Sequence, residues 1–425
     1  MSRAEREVRA ALRSLVRGGS VGLAEALAGE PDALLAAAHA HGLVGLLHAR
    51  CSEVQRRGEG LAGVSGEVLG TLRAAAMGQS ARQRRDRTEL GSVLGVLGAA
   101  GVPALVVKGP VLARLAYAQP WHRGYADLDV VVAPAHFEDA LAALAEADIR
   151  LWDRNWSKLN AELKAELTLL TPLGSTVDLH WHLFGSRALR DGTDVSMNEL
   201  FESARQVDVD GLTVRTLDPA ATLAHVAAHA SWSGLHRLVW LSDLAGLVER
   251  DAARGELDWS ELVERCRRWG LSRPVGAALA RAGAVAGAAV PREVLERLMG
   301  RGALVRFAAA GPRGGPAANV DAYDLARLVT RNLRSSERST LGCLLADLGS
   351  ACRRGGPLRR RERDLALDAT SPTSARFDAG AGRDRYLAAV RAEARIEASR
   401  AVVPEFDDEA IDSLFGVRSG GERSD

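Results

Sequence analysis

The chain has 425 residues, and its 55 basic residues almost balance its 54 acidic residues. This length is typical of several domains, and a hydrophobic share of 47% is sufficient for ordinary globular cores. The balanced charge argues against strong electrostatic binding of nucleic acid or of an anionic membrane. An aromatic share of 4% argues against stacking platforms for single-stranded nucleic acid.

The cysteines and the apolar runs indicate a cellular compartment. The four cysteines form no C-x-x-C pair and predict no disulfide framework, which is typical of a reducing environment. The first residues are charged and lack the apolar core of a signal peptide. No uncharged apolar window reaches the roughly 20 residues that a membrane-spanning helix needs. We therefore expect a cytoplasmic protein without a membrane anchor.

The N-terminal part of the chain predicts helices, because apolar residues recur there at a spacing of three to four. A glycine-rich break between Gly58 and Gly66 interrupts the pattern. The predicted helices are Glu5 to Val16, Gly22 to Leu27, Asp32 to Ala49 and Glu67 to Leu97.

The middle of the chain predicts a mixed sheet of four or five strands with helices between them. Short apolar runs bounded by glycine and proline indicate strands at Ala104 to Val107, Leu128 to Val132, Glu166 to Thr171 and Thr176 to Trp181. Helical patterns cover Val111 to Ala118 and His136 to Ala147, and Pro110 suits the first turn of the former.

The helical pattern returns at Asp218. Helices are predicted at Pro219 to Ser231, His236 to Arg250, Trp259 to Trp269, Arg273 to Gly287 and Pro291 to Leu298. Beyond a linker at Gly311 to Gly315, the sequence predicts an arginine-rich stretch from Arg353 to Arg363, a loose stretch from Asp368 to Gly382, a charged helix from Arg383 to Arg400 and a disordered end.

These patterns divide the chain into four parts. Residues 1–98 form an N-terminal helical region, and residues 99–215 form the α/β core. Residues 216–345 form a C-terminal helical domain, and residues 346–425 form an arginine-rich linker with a partly disordered tail. The predicted class is mixed α+β, with a small sheet flanked by helices.

Two aspartates at the start of a predicted strand carry the clearest chemical signal. Asp127 and Asp129 are two residues apart, so both carboxylates project from one face of the strand. A divalent cation relieves the repulsion between such carboxylates, and magnesium prefers oxygen ligands of this kind together with substrate phosphates. Asp178 and His180 share one face of a later strand, and Asp178 is a candidate third carboxylate.

The turn Lys108-Gly109 precedes a predicted helix. The start of a helix after glycine presents backbone N–H groups to a phosphate, and Lys108 could add a point charge there. The chain has only three lysines. Lys158 and Lys164 are predicted to lie in a polar helix where arginine would serve equally well, whereas a compact ammonium differs from a guanidinium beside a phosphate.

The order of these motifs resembles the nucleotidyltransferase fold of the polymerase-beta superfamily, and more closely its branch of uncharacterised nucleotidyltransferases. That branch shows a Lys-Gly turn, an arginine, an Asp-hydrophobic-Asp strand and an Asp/Glu-Leu-His-Trp strand. The matching segments are Lys108-Gly109, Arg123, Asp127-Leu128-Asp129 and Asp178-Leu179-His180-Trp181. The resemblance extends over roughly residues 20 to 340. Where the superfamily usually has Gly-Ser, this chain has Lys108-Gly109-Pro110.

The resemblance implies transfer of an NMP from an NTP to a small-molecule or peptide acceptor in a biosynthetic pathway. It implies that Asp127, Asp129 and Asp178 hold Mg²⁺ or Mn²⁺, and that Asp178 also activates the acceptor. Lys108 and Gly109 would position the β and γ phosphates.

Two further residues carry less definite roles in the same resemblance. Arg123 would contact phosphate or brace the aspartate pair. His180 would touch the metal site or the acceptor, or it is a packed histidine of the strand.

Two other functions stay open. The first is a non-catalytic accessory protein of the same fold, which binds a substrate or a partner enzyme of a biosynthetic cluster. The second is a protein-modifying transferase of the toxin–antitoxin type.

Four other polar residues of the helical part invite interpretation. His225 and His229 are four residues apart on a helix, a spacing that allows zinc but lacks the His-Glu-x-x-His motif. A place in the cleft between domains, or at the edge of the core, is the favoured interpretation of the pair. Asp243 could form an ion pair between domains with Arg237.

Overall fold

The computed structural model describes residues 3–58, 61, 63–311, 325–353 and 380–400. Within them, helices surround a five-stranded sheet, and a separate two-stranded hairpin lies beside it. The class is therefore mixed α+β, as the sequence predicts. None of the described helices is long and apolar enough to cross a bilayer.

Five helices form the N-terminal part. They are α1 (Arg3–Val16), α2 (Leu23–Gly29), α3 (Pro31–Ala40), α4 (Val44–Arg56) and α5 (Gly66–Ala99). The single helix predicted from Asp32 to Ala49 is wrong, because the chain turns at Gly42. The N–H of Leu43 donates to the carbonyl of Ala38 at 2.8 Å, and the N–H of Gly42 donates to that of His39 at 3.0 Å. This pattern is a Schellman cap, which ends α3 and redirects the chain.

The central sheet has the strand order β1, β2, β5, β4, β3. Its strands are β1 (Ala104–Val107), β2 (Asp127–Val132), β3 (Arg150–Leu151), β4 (Glu166–Leu170) and β5 (Thr176–His180). Strands β2 and β5 are parallel, and every other pair is antiparallel. The four predicted strands are confirmed.

Three helices accompany the central sheet. They are α6 (Gly109–Ala116), α7 (Phe137–Glu146) and α8 (Trp156–Glu162). Helices α6 and α7 match the two predicted helical segments. Lys164 lies outside α8, which contradicts the helix expected to contain both Lys158 and Lys164. The physical reason is the left-handed conformation of Leu163, whose φ is 38°. Helix α8 therefore ends at the preceding residue, Glu162.

A second sheet is a hairpin of β6 (Arg205–Val209) and β7 (Leu212–Thr216), preceded by α9 (Arg187–Arg190) and α10 (Met197–Glu202). The sequence analysis did not predict it. The turn Asp210-Gly211 lies between two strands that alternate polar and apolar residues, and Asp-Gly is the strongest short hairpin signal.

The C-terminal helices are α11 (Pro219–Trp232), α12 (Leu238–Arg254), α13 (Trp259–Arg268), α14 (Ser272–Ala286), α15 (Arg292–Met299), α16 (Ala303–Ala310), α17 (Leu325–Arg331) and α18 (Glu337–Arg353). The first five confirm the predicted helices to within a few residues. The charged helix of the tail is also confirmed, as α19 (Ala381–Arg400). The arginine-rich and loose stretches predicted between α18 and α19 fall largely outside the described residues, as do most of the linker after Gly311 and the C-terminal end.

Helix α5 carries a row of buried polar side chains that hold two loops of the core. Gln79 donates to the carbonyl of Trp121 at 2.8 Å, and Gln83 donates to that of Arg123 at 2.5 Å. Both carbonyls belong to the segment that leads into β2. Buried backbone carbonyls need such partners, so α5 fixes the path of this segment.

The same helix holds the turn between β4 and β5. The buried carboxylate of Glu89 accepts hydrogen bonds from the hydroxyl of Thr171 and from the N–H groups of Leu173 and Ser175, both at 3.3 Å. One turn earlier, Asp86 accepts from the Ser175 hydroxyl at 2.6 Å. Because β5 begins one residue later, α5 sets where this strand starts.

We expect Glu89→Ala to destabilise the fold, because several donors of the turn would lose their buried acceptor. Each orphaned donor costs about 1–3 kcal/mol. Urea unfolding followed by circular dichroism measures the loss. Glu67→Ala, on an exposed position of the same helix, is the matched control and should cost at most about 1 kcal/mol. Equal losses in the two variants would show that Glu89 does not hold the turn.

Candidate active site

One face of the central sheet is polar, and the strand register shows why. Asp129 of β2 is the direct neighbour of Asp178 in β5, and parallel neighbours point to the same side. Alternation along each strand then adds further polar residues to this face. They are Asp127 on β2, His180 on β5, and Glu166 and Thr168 on β4.

Asp129 lies at the centre of this face and is already neutralised. One of its oxygens is 2.6 Å from the ammonium of Lys108 and 3.1 Å from Nε2 of His180. Burial acts to raise the pKa of Asp129, but the charge of Lys108 and the hydrogen bond with His180 outweigh it and hold the pKa below its usual range. The sequence predicts Lys108, Asp129 and His180 as site residues, and the structure brings all three into direct contact.

His180 is held between two carboxylates. Its Nδ1 is 3.4 Å from a carboxylate oxygen of Glu166, which in turn lies 2.8 Å from the ammonium of Lys164. Burial lowers the pKa of His180, but the hydrogen bond to Asp129 and the charge of Glu166 outweigh it, so the pKa is raised. The imidazole therefore lies between two acidic side chains and links them.

Sequence reasoning missed Glu166 and Lys164. A signal was present, because Glu166 and Thr168 alternate on a predicted strand that pairs with the His180 strand across a short turn. The alternation places both side chains on one face of the sheet. Two of the three lysines of the chain thus lie at this face, and not only Lys108.

Asp127 and Asp178 differ from Asp129 in having no cation of their own among the described residues. Asp127 lies at the start of β2, and Asp178 accepts a hydrogen bond from the Thr168 hydroxyl at 2.7 Å. Loss of surrounding water and repulsion from Asp129 raise the pKa of Asp127 to about 6. Burial and repulsion from Glu166 raise the pKa of Asp178 as well, although the Thr168 hydrogen bond acts to lower it. Both carboxylates therefore favour an added cation.

The Lys108-Gly109 turn lies against the aspartate strand. Lys108 has a φ of 51° and a ψ of −136° and directly precedes α6. Residues other than glycine rarely adopt this backbone conformation, and those that do are often found at functional sites. A Cβ added at Gly109 would lie 3.1 Å from the carbonyl oxygen of Asp127, so only glycine fits without displacing β2. The first turn of α6, with its unbonded N–H groups, therefore begins beside the carboxylates.

The resemblance implies that Arg123 contacts phosphate or braces the aspartate pair, but the structure pairs it with another carboxylate. Its guanidinium makes two hydrogen bonds to the buried carboxylate of Asp243 on α12, at 2.8 and 2.9 Å. The remaining nitrogen lies 3.4 Å from the carbonyl of Gly109, and the Tyr117 hydroxyl donates to the same Asp243 at 2.8 Å. The ion pair expected between Asp243 and Arg237 is replaced by this one. Arg123 thus ties the Lys108-Gly109 turn to the C-terminal helices.

His225 and His229 lie on α11, with their ring centroids 6.5 Å apart. Burial and the positive charge of Lys108 lower the pKa of both, that of His229 to about 3, so both imidazoles are neutral. The described residues contain no group of three potential metal-ligating side chains around a common point, so the pair lacks the further ligands of a zinc site.

The donor set of the polar face fits a hard cation such as Mg²⁺. Asp127, Asp129 and Asp178 offer only carboxylate oxygens, and burial together with repulsion from neighbouring carboxylates raises the pKa of Asp127 and of Asp178. No three-ligand protein cage is preformed within the described ranges. Magnesium is commonly held by one or two carboxylates together with substrate phosphates, which matches this arrangement.

The sequence defines the family to which this fold and site belong. The chain is a member of the uncharacterised nucleotidyltransferase family, whose sequence profile matches residues 28–287. The match covers the sheet, the polar face, the Lys108-Gly109 turn and the helices α11 to α14, so the chain is a nucleotidyltransferase by family. No curated protein matches the chain.

Two solved structures show distant similarity. The antibiotic-resistance factor ANT(2'')-Ia, known from its solution structure, is 12% identical with a TM-score of 0.29, over 44% of this chain and 91% of its own. An antigenic nucleotidyltransferase-like protein from Paracoccidioides brasiliensis is 13% identical with a TM-score of 0.27, over 38% of this chain and 76% of its own. The family assignment rests on the sequence profile alone.

We expect Asp243→Ala to be strongly destabilising, because it leaves the buried guanidinium of Arg123 without a counter-charge. Breaking one side of a buried ion pair costs about 3–5 kcal/mol. The midpoint and slope of urea unfolding measure the loss. Glu296→Ala removes an exposed i,i+4 ion pair of α15 and should change stability little. A loss for Asp243→Ala as small as that of the control would show that the Arg123–Asp243 pair does not support the fold.

Proposed function

We propose that the protein transfers an NMP from an NTP to a hydroxyl, amine or phosphate of a small-molecule or peptide acceptor, on a fold of the polymerase-beta type. One observation carries the proposal. Three carboxylates from two adjacent parallel strands face the same side of the sheet, directly beside a lysine that precedes a helix. This arrangement pairs donors for a divalent cation with donors for a phosphate.

In this proposal, Asp127, Asp129 and Asp178 would hold Mg²⁺ or Mn²⁺ beside the triphosphate. The bound ion supplies neutralisation of the charge that develops on the phosphates during transfer. Asp127 and Asp178 contribute most to cation binding, because neither has a cationic partner among the described residues. Asp129, which is already in contact with Lys108, would contribute less.

Lys108 and Gly109 bind the phosphates in this proposal. The ammonium of Lys108 lies 2.6 Å from Asp129, and thus within the acidic site. In the first turn of α6, Gly109 and Val111 offer backbone N–H donors for an anion, whereas Pro110 has none. Arg123 acts indirectly, since its contact with the Gly109 carbonyl holds the turn in place.

Asp178 is the candidate base for the acceptor. Its raised pKa makes the carboxylate a stronger base than an ordinary aspartate, which suits removal of a proton from a hydroxyl or an ammonium. The acceptor atom then bonds to the α-phosphorus while the bond from that phosphorus to the bridging oxygen breaks, and pyrophosphate leaves. Lys108 and His180 keep Asp129 ionised, because the charge of the one and the hydrogen bond with the other hold its pKa below the usual range.

Mass spectrometry tests the transfer directly. Candidate acceptors are incubated with the full-length protein, the four NTPs and magnesium, and an increase of one NMP unit in the mass of an acceptor identifies both substrates. We expect Asp129→Asn to abolish the product, because the substitution removes the central charge of the site. Transfer by Asp129→Asn at the wild-type rate would refute the site assignment.

Lys108→Arg should weaken nucleotide binding, since a planar guanidinium on the strained turn does not replace a compact ammonium. Thermal shifts with each NTP, with and without magnesium, measure binding. We expect the wild type to be stabilised by at least one NTP only with magnesium, and the variant to lose most of that shift. Lys158→Arg, on α8, is the matched control and should behave as the wild type. An unchanged NTP-dependent thermal shift in Lys108→Arg would show that Lys108 does not contribute to nucleotide binding.

A non-catalytic accessory role is the second candidate, and the Lys108–Asp129 contact favours it, since a lysine already neutralises the central carboxylate. The same two measurements separate the candidates. Magnesium-dependent stabilisation with nucleotide transfer supports the enzyme. The absence of both supports a protein that binds a substrate or a partner enzyme through the same fold.

A further inference from the structure

The C-terminal helix α19 lies outside the segment that defines the family, yet it packs directly on the catalytic core. The family profile ends at residue 287, and α19 covers Ala381–Arg400. Its apolar side chains Tyr386, Leu387 and Val390 are buried in the same hydrophobic core as the central sheet. The tail therefore contributes to the unit that carries the polar face.

Polar contacts fix α19 at both ends. Near its start, the side chain of Asn160 on α8 donates to the carbonyl of Gly382 at 2.9 Å. Near its end, Glu397 accepts a hydrogen bond from the Ser196 hydroxyl at 2.8 Å. In the middle, Arg391 forms an ion pair with Glu138 of α7 at 2.6 Å. These contacts determine the position of the helix along its whole length.

Tyr386 is the one side chain of α19 that joins two strands of the site. Its hydroxyl accepts a hydrogen bond from the indole N–H of Trp181 at 2.9 Å and donates to the carbonyl of Lys164 at 2.5 Å. Trp181 directly follows the last residue of β5, and Lys164 lies two residues before β4. The hydroxyl therefore links the end of one strand to the beginning of its neighbour.

These two linked strand ends carry His180 and Glu166. The two residues are register partners, and their side chains meet on the polar face, opposite to the side on which Trp181 lies. Lys164 also forms the ion pair with Glu166. The Tyr386 hydroxyl therefore contacts Trp181, which follows His180 in the chain. It also contacts Lys164, which pairs with Glu166, the carboxylate on the other side of the His180 imidazole.

The surroundings of Tyr386 leave it little freedom. The residue is fully buried, and its ring contacts those of Trp156 and Phe137, with centroid distances of 5.8 and 6.4 Å. The guanidinium of Arg190 covers the Trp181 ring, 4.4 Å from its centroid. The indole is therefore fixed both by its N–H bond to Tyr386 and by this cation.

We propose that α19 belongs to the catalytic unit and that its Tyr386 is a positioning residue. Through its hydrogen bonds to Trp181 and Lys164, Tyr386 places the side chains of His180 and Glu166. The role in catalysis rests on the proposed function, whereas the placement of His180 does not. The experiment therefore has one arm that needs no substrate and one arm that does.

The first arm uses the imidazole nitrogen resonances of the full-length protein, labelled with ¹⁵N-histidine and held at one pH. Those of His180 are identified by their absence in His180→Asn. We expect Tyr386→Phe to shift the His180 resonances, because the two strand ends lose their common partner. Val390→Ala, a buried truncation on the same helix that removes no hydrogen bond, should leave them at the wild-type positions.

A second variant keeps this arm decisive if Tyr386→Phe does not fold. A Cβ added at Gly382 would lie 2.7 Å from the Cβ of Trp156, so Gly382→Ala pushes the start of α19 away from α8. It should shift the His180 resonances in the same direction. His180 resonances that stay unchanged in the folded variant, or that shift equally in Val390→Ala, would overturn the proposal.

The second arm measures kcat and KM with the NTP and acceptor identified by mass spectrometry. We expect Tyr386→Phe to lower kcat about tenfold or more while KM for the nucleotide is unchanged, since small misplacements of reacting groups cost rate rather than binding. Equal kcat losses in Tyr386→Phe and Val390→Ala would reduce Tyr386 to a packing residue and overturn the proposal. If the wild type transfers no nucleotide, the proposed function fails, and the resonances of His180 still decide the positioning role.

Discussion

The crowding of negative charge on one face of the central sheet is the constraint that organises this protein. Asp127, Asp129, Asp178 and Glu166 project from adjacent strands, and like charges at this spacing repel. The chain compensates only part of this charge. Its cations are concentrated at Asp129 and Glu166, whereas Asp127 and Asp178 keep raised pKa values. This uncompensated negative charge is the basis of the proposed divalent-cation site.

Three helical elements hold this face in place from outside the sheet. Helix α5 supports the segment before β2 and the turn before β5 through buried polar side chains. Helix α12 holds Arg123, and through it the Gly109 turn. Helix α19 joins the ends of β4 and β5 through Tyr386. The large helical share of the chain therefore has a direct relation to the site, because each flank fixes a different strand or turn.

The elements that sequence predicted well are those with local signals. The strand of Asp127 and Asp129 and the turn of Lys108 and Gly109 follow from apolar runs bounded by glycine and proline. The partners of Arg123 and Asp243 could not be predicted, because 120 residues separate them and either could pair with many oppositely charged residues. Tyr386 gave no signal at all, since its role depends on where a distant helix docks.

Glu166 is intermediate between the elements that have local signals and the residues whose partners lie far away in the chain. Its strand was predictable and its face followed from alternation, so it could have been assigned to the site. Its link to His180 depends on the antiparallel pairing of β4 with β5, which the short turn between them favours. Gly42 shows the opposite error, since a local cap residue was present in the sequence and a single long helix was predicted across it.

The central claim is that the polar face of the sheet binds a metal–nucleotide complex. Crystals grown with Mn²⁺ and a non-hydrolysable NTP test it most directly, because anomalous scattering locates the manganese independently of the protein. The account predicts manganese bonded to carboxylate oxygens of Asp127, Asp129 and Asp178, with the triphosphate beside Lys108 at the first turn of α6. Manganese and nucleotide bound together at another part of the protein, with the contact between Lys108 and Asp129 intact, would contradict it.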